Sequence, residues 1–324
     1  MKVIVGAGLA GMLAACHFPD APIIEAAEAP AGHKALLRFR DESVSKLTGI
    51  PFRRVRVHKE VYYDGKIIYE ARPPIAIMNE YAKKVTGRIG ARSIANLESV
   101  DRFVAPDDLH AQLLDRFAAR ISYSAPFLGD PSGSHDFIST MPLPAMLKTL
   151  GLASAPGIGE SAEFGFEREE IIVKRYRLAN CDAYQTIYFP EKELRVYRAS
   201  ITGNLLIVES LKQLPADSFG WSHTEDEEFD IVAEAFGLSE PMDLLRENVE
   251  VVPQKYGKIV GLPDGARQAI LHRLTSEFRV YSVGRFATWR NILLDDVVSD
   301  LSKVESMLAS DAYSRRLFLA NLNK

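Results

Sequence analysis

Three glycines near the start of the chain constrain its fold more than any other feature. The sequence opens MKVIVGAGLAGMLAACHF, in which Gly6, Gly8 and Gly11 form the pattern G-x-G-x-x-G. Residues 1–5 are an apolar, β-branched run typical of a buried parallel strand, and residues 9–18 are helix formers. The glycines therefore lie at a strand-to-helix turn, the setting in which this pattern binds dinucleotides.

Each glycine of the turn has a separate expected role. Gly6 permits the tight bend, Gly8 lets the backbone approach a pyrophosphate, and Gly11 lets the helix pack closely on the strand. A second strand over residues 21–24 ends in Glu25, the acidic residue expected roughly 20 positions on to accept ribose hydroxyls. The alternative is a glycine turn with a chance glutamate. We predict a dinucleotide site that includes Gly6, Gly8, Leu9, Ala10, Gly11, Glu25 and Ala26.

The residues around this turn resemble a flavoprotein superfamily that includes the amine oxidases, protoporphyrinogen oxidase and UDP-galactopyranose mutase. Its members carry G-x-G-x-x-G-x-x-x-A-x-x-L, then a glutamate and a Gly-Gly pair. Ala15 and Phe18 continue the pattern in register, and Ala31-Gly32 stands where the Gly-Gly pair belongs. The resemblance implies FAD as the cofactor, with Gly32 and His33 in the loop beside the flavin.

A second match lies near the other end, in VYSVGRFATWRNILLDDVVSDL. Residues 280–283 read as the last strand of the cofactor domain, and Gly284-Arg285 resembles the superfamily's Gly-Arg step before a helix. The apolar face of that helix would be formed by Val297, Leu301, Val304 and Leu308. The resemblance implies further cofactor contacts from Gly284, Arg285, Asn291 and Ile292.

The same segment is similar to the mutase's G-R-x-x-x-Y-R-Y-x-D run but departs from it. Trp289 replaces the first tyrosine and Arg290 matches, whereas Asn291 and Leu293 stand where the mutase has a tyrosine and an aspartate. These departures weaken the resemblance to the mutase reaction and leave the resemblance to a FAD-binding fold intact.

Composition sets the outer limits of the interpretation. With 324 residues, of which 47% are hydrophobic, the chain can bury a large core and form two domains. Cys16 and Cys181 are too few to staple a fold, and no metal-ligand spacing is present. Because no apolar run approaches the roughly 18 residues of a membrane span, we expect a soluble, cytoplasmic protein with no membrane partner.

The expected fold is α/β, with a discontinuous Rossmann-type FAD-binding domain and a second domain for the substrate. The FAD-binding domain would comprise residues 1–40, 100–150 and 254–324. Residues 41–99 and 151–253 would form the substrate domain, where alternating runs such as DAYQTIYF and LRVYRASI indicate a mixed or antiparallel sheet.

The net charge of −4 conceals two segments of opposite sign. Residues 34–59 carry eight Lys and Arg against two acids, and residues 217–250 carry eleven acids against one Arg. We interpret the acidic segment as a solvated face. In the basic segment, RVRVHKEVYYDGKIIYE alternates like two strands around an Asp64-Gly65 turn, which places Arg54, Arg56 and His58 on one face. That face is either plain solvent surface or an anion-binding surface.

Three residues are candidates for catalysis, and two of them have an ordinary structural alternative. His33 would donate to the flavin or act as a base, or lie on the surface. Lys258 resembles the lysine that amine oxidases hold near the flavin. Arg198 in LRVYRASI resembles an arginine that lines the mutase's substrate site, or is an outward-facing arginine on a plain strand.

Three functions fit the sequence. The first is a FAD-dependent oxidoreductase that takes a hydride from a carbon bearing an amine or similar group, on an anionic small molecule or a polymer-linked substrate. The second is a non-redox isomerase resembling UDP-galactopyranose mutase. The third is a flavoprotein that binds nucleic acid or another polyanion through residues 34–59. We favour the redox reaction, and the oligomeric state stays open.

Overall fold

The computed structural model describes most of the chain. The described residues are 1–29, 37–69, 71–89, 94–130, 134–152, 166, 168–214, 223–238, 248–259 and 262–310, with only the backbone described at 168, 169, 255 and 256. The chain divides into two compact units. Unit 1 comprises Met1–Arg53, Phe103–Glu167 and Ile259–Lys324, and unit 2 comprises Arg54–Arg102 and Arg168–Lys258.

The α-helices that the structure describes alternate with strands, or with runs of strands, along the chain. They are α1 Leu9–His17, α2 Ser43–Thr48, α3 Ile75–Thr86, α4 Leu109–Phe117, α5 Leu143–Thr149, α6 Glu225–Phe236, α7 Asp264–Phe278 and α8 Leu294–Ala309. The strands are β1 Lys2–Val5, β2 Ile23–Ile24, β3 Arg38–Phe39, β4 Arg53–Tyr63, β5 Lys66–Ile68, β6 Val100–Val104, β7 Ile121–Ser122, β8 Asp136–Ser139, β9 Arg168–Arg177, β10 Ala183–Tyr188, β11 Val196–Gly203, β12 Leu205–Leu211, β13 Glu250–Ile259 and β14 Val280–Ser282.

Unit 1 is built on a parallel sheet with the strand order β14-β8-β1-β2-β7. Strand β1 is central because its apolar residues are buried on both faces, as expected for a parallel sheet with helices around it. Helix α1 packs against α2, α4 and α8. The predicted apolar face of α8 is confirmed, since Val297, Leu301 and Val304 lie in the same core as α1.

Unit 2 is built on a mixed sheet. Its strand order is β13-β9-β12-β11-β10-β4-β6, with β5 paired to β4. Neighbours from β9 to β10 pair antiparallel, whereas β10 and β4 pair in parallel. The predicted hairpin is confirmed, because β4 and β5 pair antiparallel and Asp64 and Gly65 both have positive φ, as a type I′ hairpin turn requires. Helix α6 covers one face, where Phe229 stacks on Tyr176.

The predicted fold class is confirmed by this pair of sheets. The unit boundaries differ from the predicted domain boundaries, because residues 41–53 and 151–167 belong to unit 1, whereas residues 100–102 and 254–258 belong to unit 2. Residues 41–53 fall in unit 1 since α2 packs on α1 and α8. The roles of the two units in binding cofactor and substrate stay a prediction. Within the described ranges, no helix combines the length and the apolar character needed to cross a bilayer.

Candidate functional site

Four parallel strands of unit 1 end in one row. Val5 lies beside Ile24 on one side and Ser139 on the other, and Ser139 lies beside Ser282. The loops that follow these residues therefore begin at the same sheet edge, the edge at which open α/β sheets bind ligands. The topology thereby brings the glycine turn, Glu25 and the Gly284-Arg285 step together, although they are far apart in sequence.

The glycine turn has the geometry that its spacing predicts. Gly6 has φ +101°, and a Cβ there would lie 2.5 Å from Thr140 Oγ1. A Cβ on Gly11 would lie 1.9 Å from the Gly6 carbonyl oxygen, so only glycine lets α1 approach the turn this closely. Gly8, immediately before α1, has an ordinary extended backbone, and its Cβ would meet no atom within 4 Å. Gly8 therefore faces open space at the amino end of α1.

Glu25 is held against the glycine turn by its carboxylate. Its Oε2 accepts a hydrogen bond from Ala7 N at 2.7 Å, and its Oε1 accepts one from Ala27 N at 2.9 Å. Ala26, which lies between Glu25 and Ala27 in the sequence, is exposed. Because each carboxylate oxygen has two acceptor sites, both oxygens keep capacity for a ligand's hydroxyl groups.

The Gly284-Arg285 step lies against the first turn of α1. Gly284 has φ +91°, and a Cβ on it would come within 3.2 Å of Ala10 Cβ. After the step, Arg285 Nη2 donates to Asn291 Oδ1 at 3.4 Å, and Asn291 Nδ2 donates to the Ile259 carbonyl at 3.3 Å. The backbone N–H of the next residue, Ile292, donates to the Arg290 carbonyl at 3.0 Å. Both ends of the Asn291 amide are thus used within unit 1.

The amino end of α8 carries two carboxylates that bind one arginine. Arg40 donates from its backbone N to Asp295 Oδ1 at 3.0 Å and from Nη2 to Asp296 Oδ1 at 2.6 Å. Burial acts to raise the pKa of Asp296, but hydrogen bonds from Arg40 and from Leu293 N outweigh it and lower the pKa. These bonds fix the chain after β3 to the start of α8. Leu293, which precedes α8, is 55% exposed.

Of the predicted catalytic residues, Lys258 and Arg198 lie in unit 2, whereas His33 lies outside the described residues, as does Gly32. Lys258 is buried on β13, with its Nζ 5.3 Å from the ring centre of Tyr197. Arg198 is next to Tyr197 and forms a two-bond ion pair with Glu209, its register partner on β12. Burial acts to lower the pKa of Arg198, but the Glu209 carboxylate raises it above its ordinary value. The structure thus places Lys258 against Tyr197, the residue that precedes Arg198 in the sequence.

The basic face of β4 carries counter-charges that the sequence did not assign. Arg54 and Arg56 both pair with Asp101, the latter at 3.1 Å. His58 Nδ1 lies 2.9 Å from Ser99 Oγ. Asp101 therefore offsets part of the positive charge on this face. Among the side chains that the structure describes, no group of three His, Cys, Asp or Glu is arranged to hold a metal ion.

Three residues that no sequence motif predicts also shape this site. Thr140 donates from both N and Oγ1 to the Val5 carbonyl at 2.9 Å, and Arg40 anchors α8. His110, the second residue of α4, lies with its Nε2 3.0 Å from the Ala7 carbonyl oxygen. The sequence does carry one signal for His110: it lies between Leu109 and Leu113, at a core position of an amphipathic helical pattern.

No family model and no curated protein matches the sequence, whereas solved structures match its fold. A reduced UDP-galactopyranose mutase superposes with a TM-score of 0.67 at 14% identity, over 95% of this chain and 93% of that one. A putrescine oxidase double mutant with redesigned cofactor binding superposes with a TM-score of 0.54 at 10% identity, over 95% of this chain and 99% of that one. Klebsiella pneumoniae HpxO complexed with FAD and uric acid superposes with a TM-score of 0.51 at 14% identity, over 98% of this chain and 83% of that one.

These comparisons confirm, at the level of the fold, the resemblance stated from the two glycine motifs. The chain has the fold of FAD-dependent flavoproteins, among which are amine oxidases, monooxygenases and the mutase. At 10–14% identity the likeness extends to the fold alone.

Proposed function

We propose that the protein is a FAD-dependent oxidoreductase that takes a hydride from a carbon bearing an amine or similar group. The observation that carries the proposal is the turn at Gly8, where the amino end of α1 faces open space that a single Cβ would enter. The first turn of a helix presents N–H groups without intrahelical partners and a partial positive charge, which together suit a pyrophosphate.

The residues of unit 1 fit FAD. Gly8, Leu9, Ala10 and Gly11 would hold the pyrophosphate, and Glu25 would accept the ribose hydroxyls while keeping its bonds to the turn. Arg285 would supply a guanidinium to the phosphates or to an anionic substrate group, and Asn291 orients it. Bound FAD supplies the acceptor for the hydride, and the protein supplies binding, orientation and electrostatics.

A redox reaction is favoured over the mutase reaction by the residues before α8. Where the mutase resemblance requires a tyrosine and an aspartate, this chain has Asn291, whose amide is used at both ends, and Leu293, which is exposed and apolar. The second candidate keeps one observation in its favour, because the mutase superposes better than putrescine oxidase over a similar share of the chain.

We propose an anionic substrate, either a small molecule or a group linked to a polymer, handled in the cytoplasm. The support is the positive charge of residues 34–59, which Asp101 and the two carboxylates at the start of α8 offset only in part. Binding of nucleic acid loses support, since Asp101 already pairs with Arg54 and Arg56. Lys258, Arg198 and His33 remain the candidate catalytic residues, with Tyr197 beside the first two.

The test begins with the purified protein, which should be yellow and should release FAD when denatured. Under anaerobic conditions an anionic substrate that bears an amine should bleach the visible absorbance of the flavin in a single turnover. Rising salt should slow this step, because exposed charges are screened within about 10 Å at 0.1 M. Pre-reduction with dithionite should not lead to conversion of UDP-galactopyranose. Colourless protein that takes up no FAD would refute the proposal, and turnover of the nucleotide sugar would replace it with the mutase reaction.

A further inference from the structure

The two peptide groups that flank the Cα of Ala7 are each held by a side chain distant in sequence. Ala7 N donates to Glu25 Oε2 at 2.7 Å, and the Ala7 carbonyl oxygen lies 3.0 Å from His110 Nε2. Because a carbonyl oxygen can only accept, His110 must carry its proton on Nε2. Ala7 is 4% exposed and His110 6%, so neither bond competes freely with water.

These two bonds fix the planes of both peptides. All described peptide bonds are trans, and in a trans peptide the C=O and the following N–H point in opposite directions. With Ala7 N–H directed to Glu25, the Gly6 carbonyl points away from Glu25, toward the position where a Gly11 Cβ would lie. With the Ala7 carbonyl directed to His110, the Gly8 N–H points away from α4.

We infer that His110 is a positioning residue for the cofactor's phosphates, which acts by aiming the Gly8 N–H. The inference rests on the proposed binding of FAD. The Ala7–Gly8 peptide is the last one before α1, and Gly8 faces open space. Rotation of this peptide would turn the Gly8 N–H away from an anion at the amino end of α1 and turn the Ala7 carbonyl, which repels that anion, toward it. The His110 bond opposes this rotation.

The placement of His110 in the sequence supports the assignment. It is the second residue of α4 and follows Leu109, which is fully buried. Helix α4 itself packs on α1. A purely space-filling residue at this position would be apolar, since polar groups are buried at a cost unless they make a hydrogen bond. The bond to Ala7 joins α4 to the glycine turn.

The experiment compares three variants of the full chain in their affinity for FAD and for ADP, which carries the pyrophosphate without the flavin. In His110→Leu the donor is lost, and we expect both ligands to bind about tenfold more weakly or worse, because the Ala7–Gly8 peptide can then rotate and the Gly8 N–H loses its hydrogen bond to the phosphates. In His110→Gln the amide nitrogen reaches the position of Nε2, so affinity should recover to within about threefold of wild type. Leu113→Ala, in the same helix, controls for general destabilisation, which is measured for each cofactor-free protein by urea unfolding.

Separate results distinguish the inference from the proposed function. Wild-type protein that binds neither FAD nor ADP would refute both. Wild-type binding with an unchanged His110→Leu variant would refute the inference alone, as would a Gln variant no better than Leu, or Leu113→Ala with an equal loss of affinity. If His110→Leu does not fold, His110→Asn replaces it, since the shorter amide stops at the position of Nδ1; the Asn variant should bind weakly and the Gln variant normally.

Discussion

Gly8 and Gly11 lie three residues apart in one turn, yet alanine at each should have a different consequence. At Gly11 the new Cβ would lie 1.9 Å from the Gly6 carbonyl oxygen, whereas real contacts of this kind are rarely below 3.0 Å. The start of α1 and the end of β1 must therefore separate by about 1 Å. Overpacking of a rigid core typically costs about 1–3 kcal/mol. We place Gly11→Ala at the upper end, because the opposing atom is backbone and Met12, Leu13 and Ala14 pack around it.

At Gly8 the same substitution meets no atom of the protein. Its φ of −68° and ψ of 174° suit any residue, so the cost is limited to the weaker helix cap, below about 1 kcal/mol. The methyl group instead enters the space where the pyrophosphate would approach the backbone. Loss of even one charge-assisted hydrogen bond is worth about 1.5–3 kcal/mol, so we expect FAD affinity to fall more than tenfold.

The assay measures two quantities on each variant: the free energy of unfolding of the cofactor-free protein in urea, and FAD affinity from quenching of flavin fluorescence. Gly11→Ala should lose stability first and affinity as a result, and Gly8→Ala should lose affinity with stability nearly unchanged. If Gly8→Ala binds FAD as tightly as wild type, the pyrophosphate does not approach Gly8. If Gly11→Ala is as stable as wild type, the close packing of α1 on the turn is wrong.

Three further substitutions test other parts of the structure. Arg285→Ala should weaken binding of FAD or of an anionic substrate by about 1.5–3 kcal/mol, measured by titration, and Arg285→Lys should restore only part of it because lysine lacks the planar fork. Asp101→Asn should strengthen salt-sensitive binding of a single-stranded oligonucleotide in a filter or anisotropy assay, because two arginines lose their counter-charge. Burial lowers the pKa of Lys84 to about 7, below the unfolded value of about 10.4, so the unfolded chain binds more protons between these pH values. Stability should therefore rise with pH across that window, by at most about 1.4 kcal/mol per unit, and Lys84→Met should remove this slope in urea unfolding at pH 7 and pH 9.

The sequence predicts the cofactor turn well because its requirements are local. A positive φ at Gly6 and a close approach at Gly11 can be met only by glycine, so the geometry leaves a fixed spacing in the sequence. Glu25 follows the next parallel strand and reaches the turn through the β1–β2 register. The topology that joins Gly284 to Ala10 follows from the same rule, since both lie at the carboxyl edge of one sheet.

Unit 2 is less predictable because its charged residues have distant partners. Lys84 occupies a core position of α3, where its Nζ donates to the carbonyls of Phe189, Glu191 and Val196 at 2.6–2.7 Å. A lysine in an apolar face disrupts the helical pattern, and no helix is predicted from the sequence over residues 75–86. The carbonyls that satisfy it lie more than 100 residues further along the chain.

The acidic segment shows the same limit and one signal that could have been used. Interpreted as a solvated face, it contains α6, in which Glu228 is buried and accepts from Arg195 N at 2.5 Å. Charge counting cannot detect such a partner. The spacing of Thr224 and Glu227, however, is that of a capping box, and the structure has both of its hydrogen bonds. That pair marks the start of α6 in the sequence alone.

The difference between the two units explains why the cofactor can be proposed with more support than the substrate. A pyrophosphate is bound largely by backbone N–H groups, which any sequence possesses, so the information lies in the glycines that let the backbone come close. A substrate is distinguished by side chains, and these come together from strands that are remote in sequence. Lys258 reaches Tyr197 from β13, and Arg198 pairs with Glu209 through the register of β11 and β12. Each residue alone is an ordinary lysine or arginine, and only the sheet supplies its partner. A test of Lys258 as a candidate catalytic residue therefore begins at Tyr197, because the Lys258 Nζ lies against its ring.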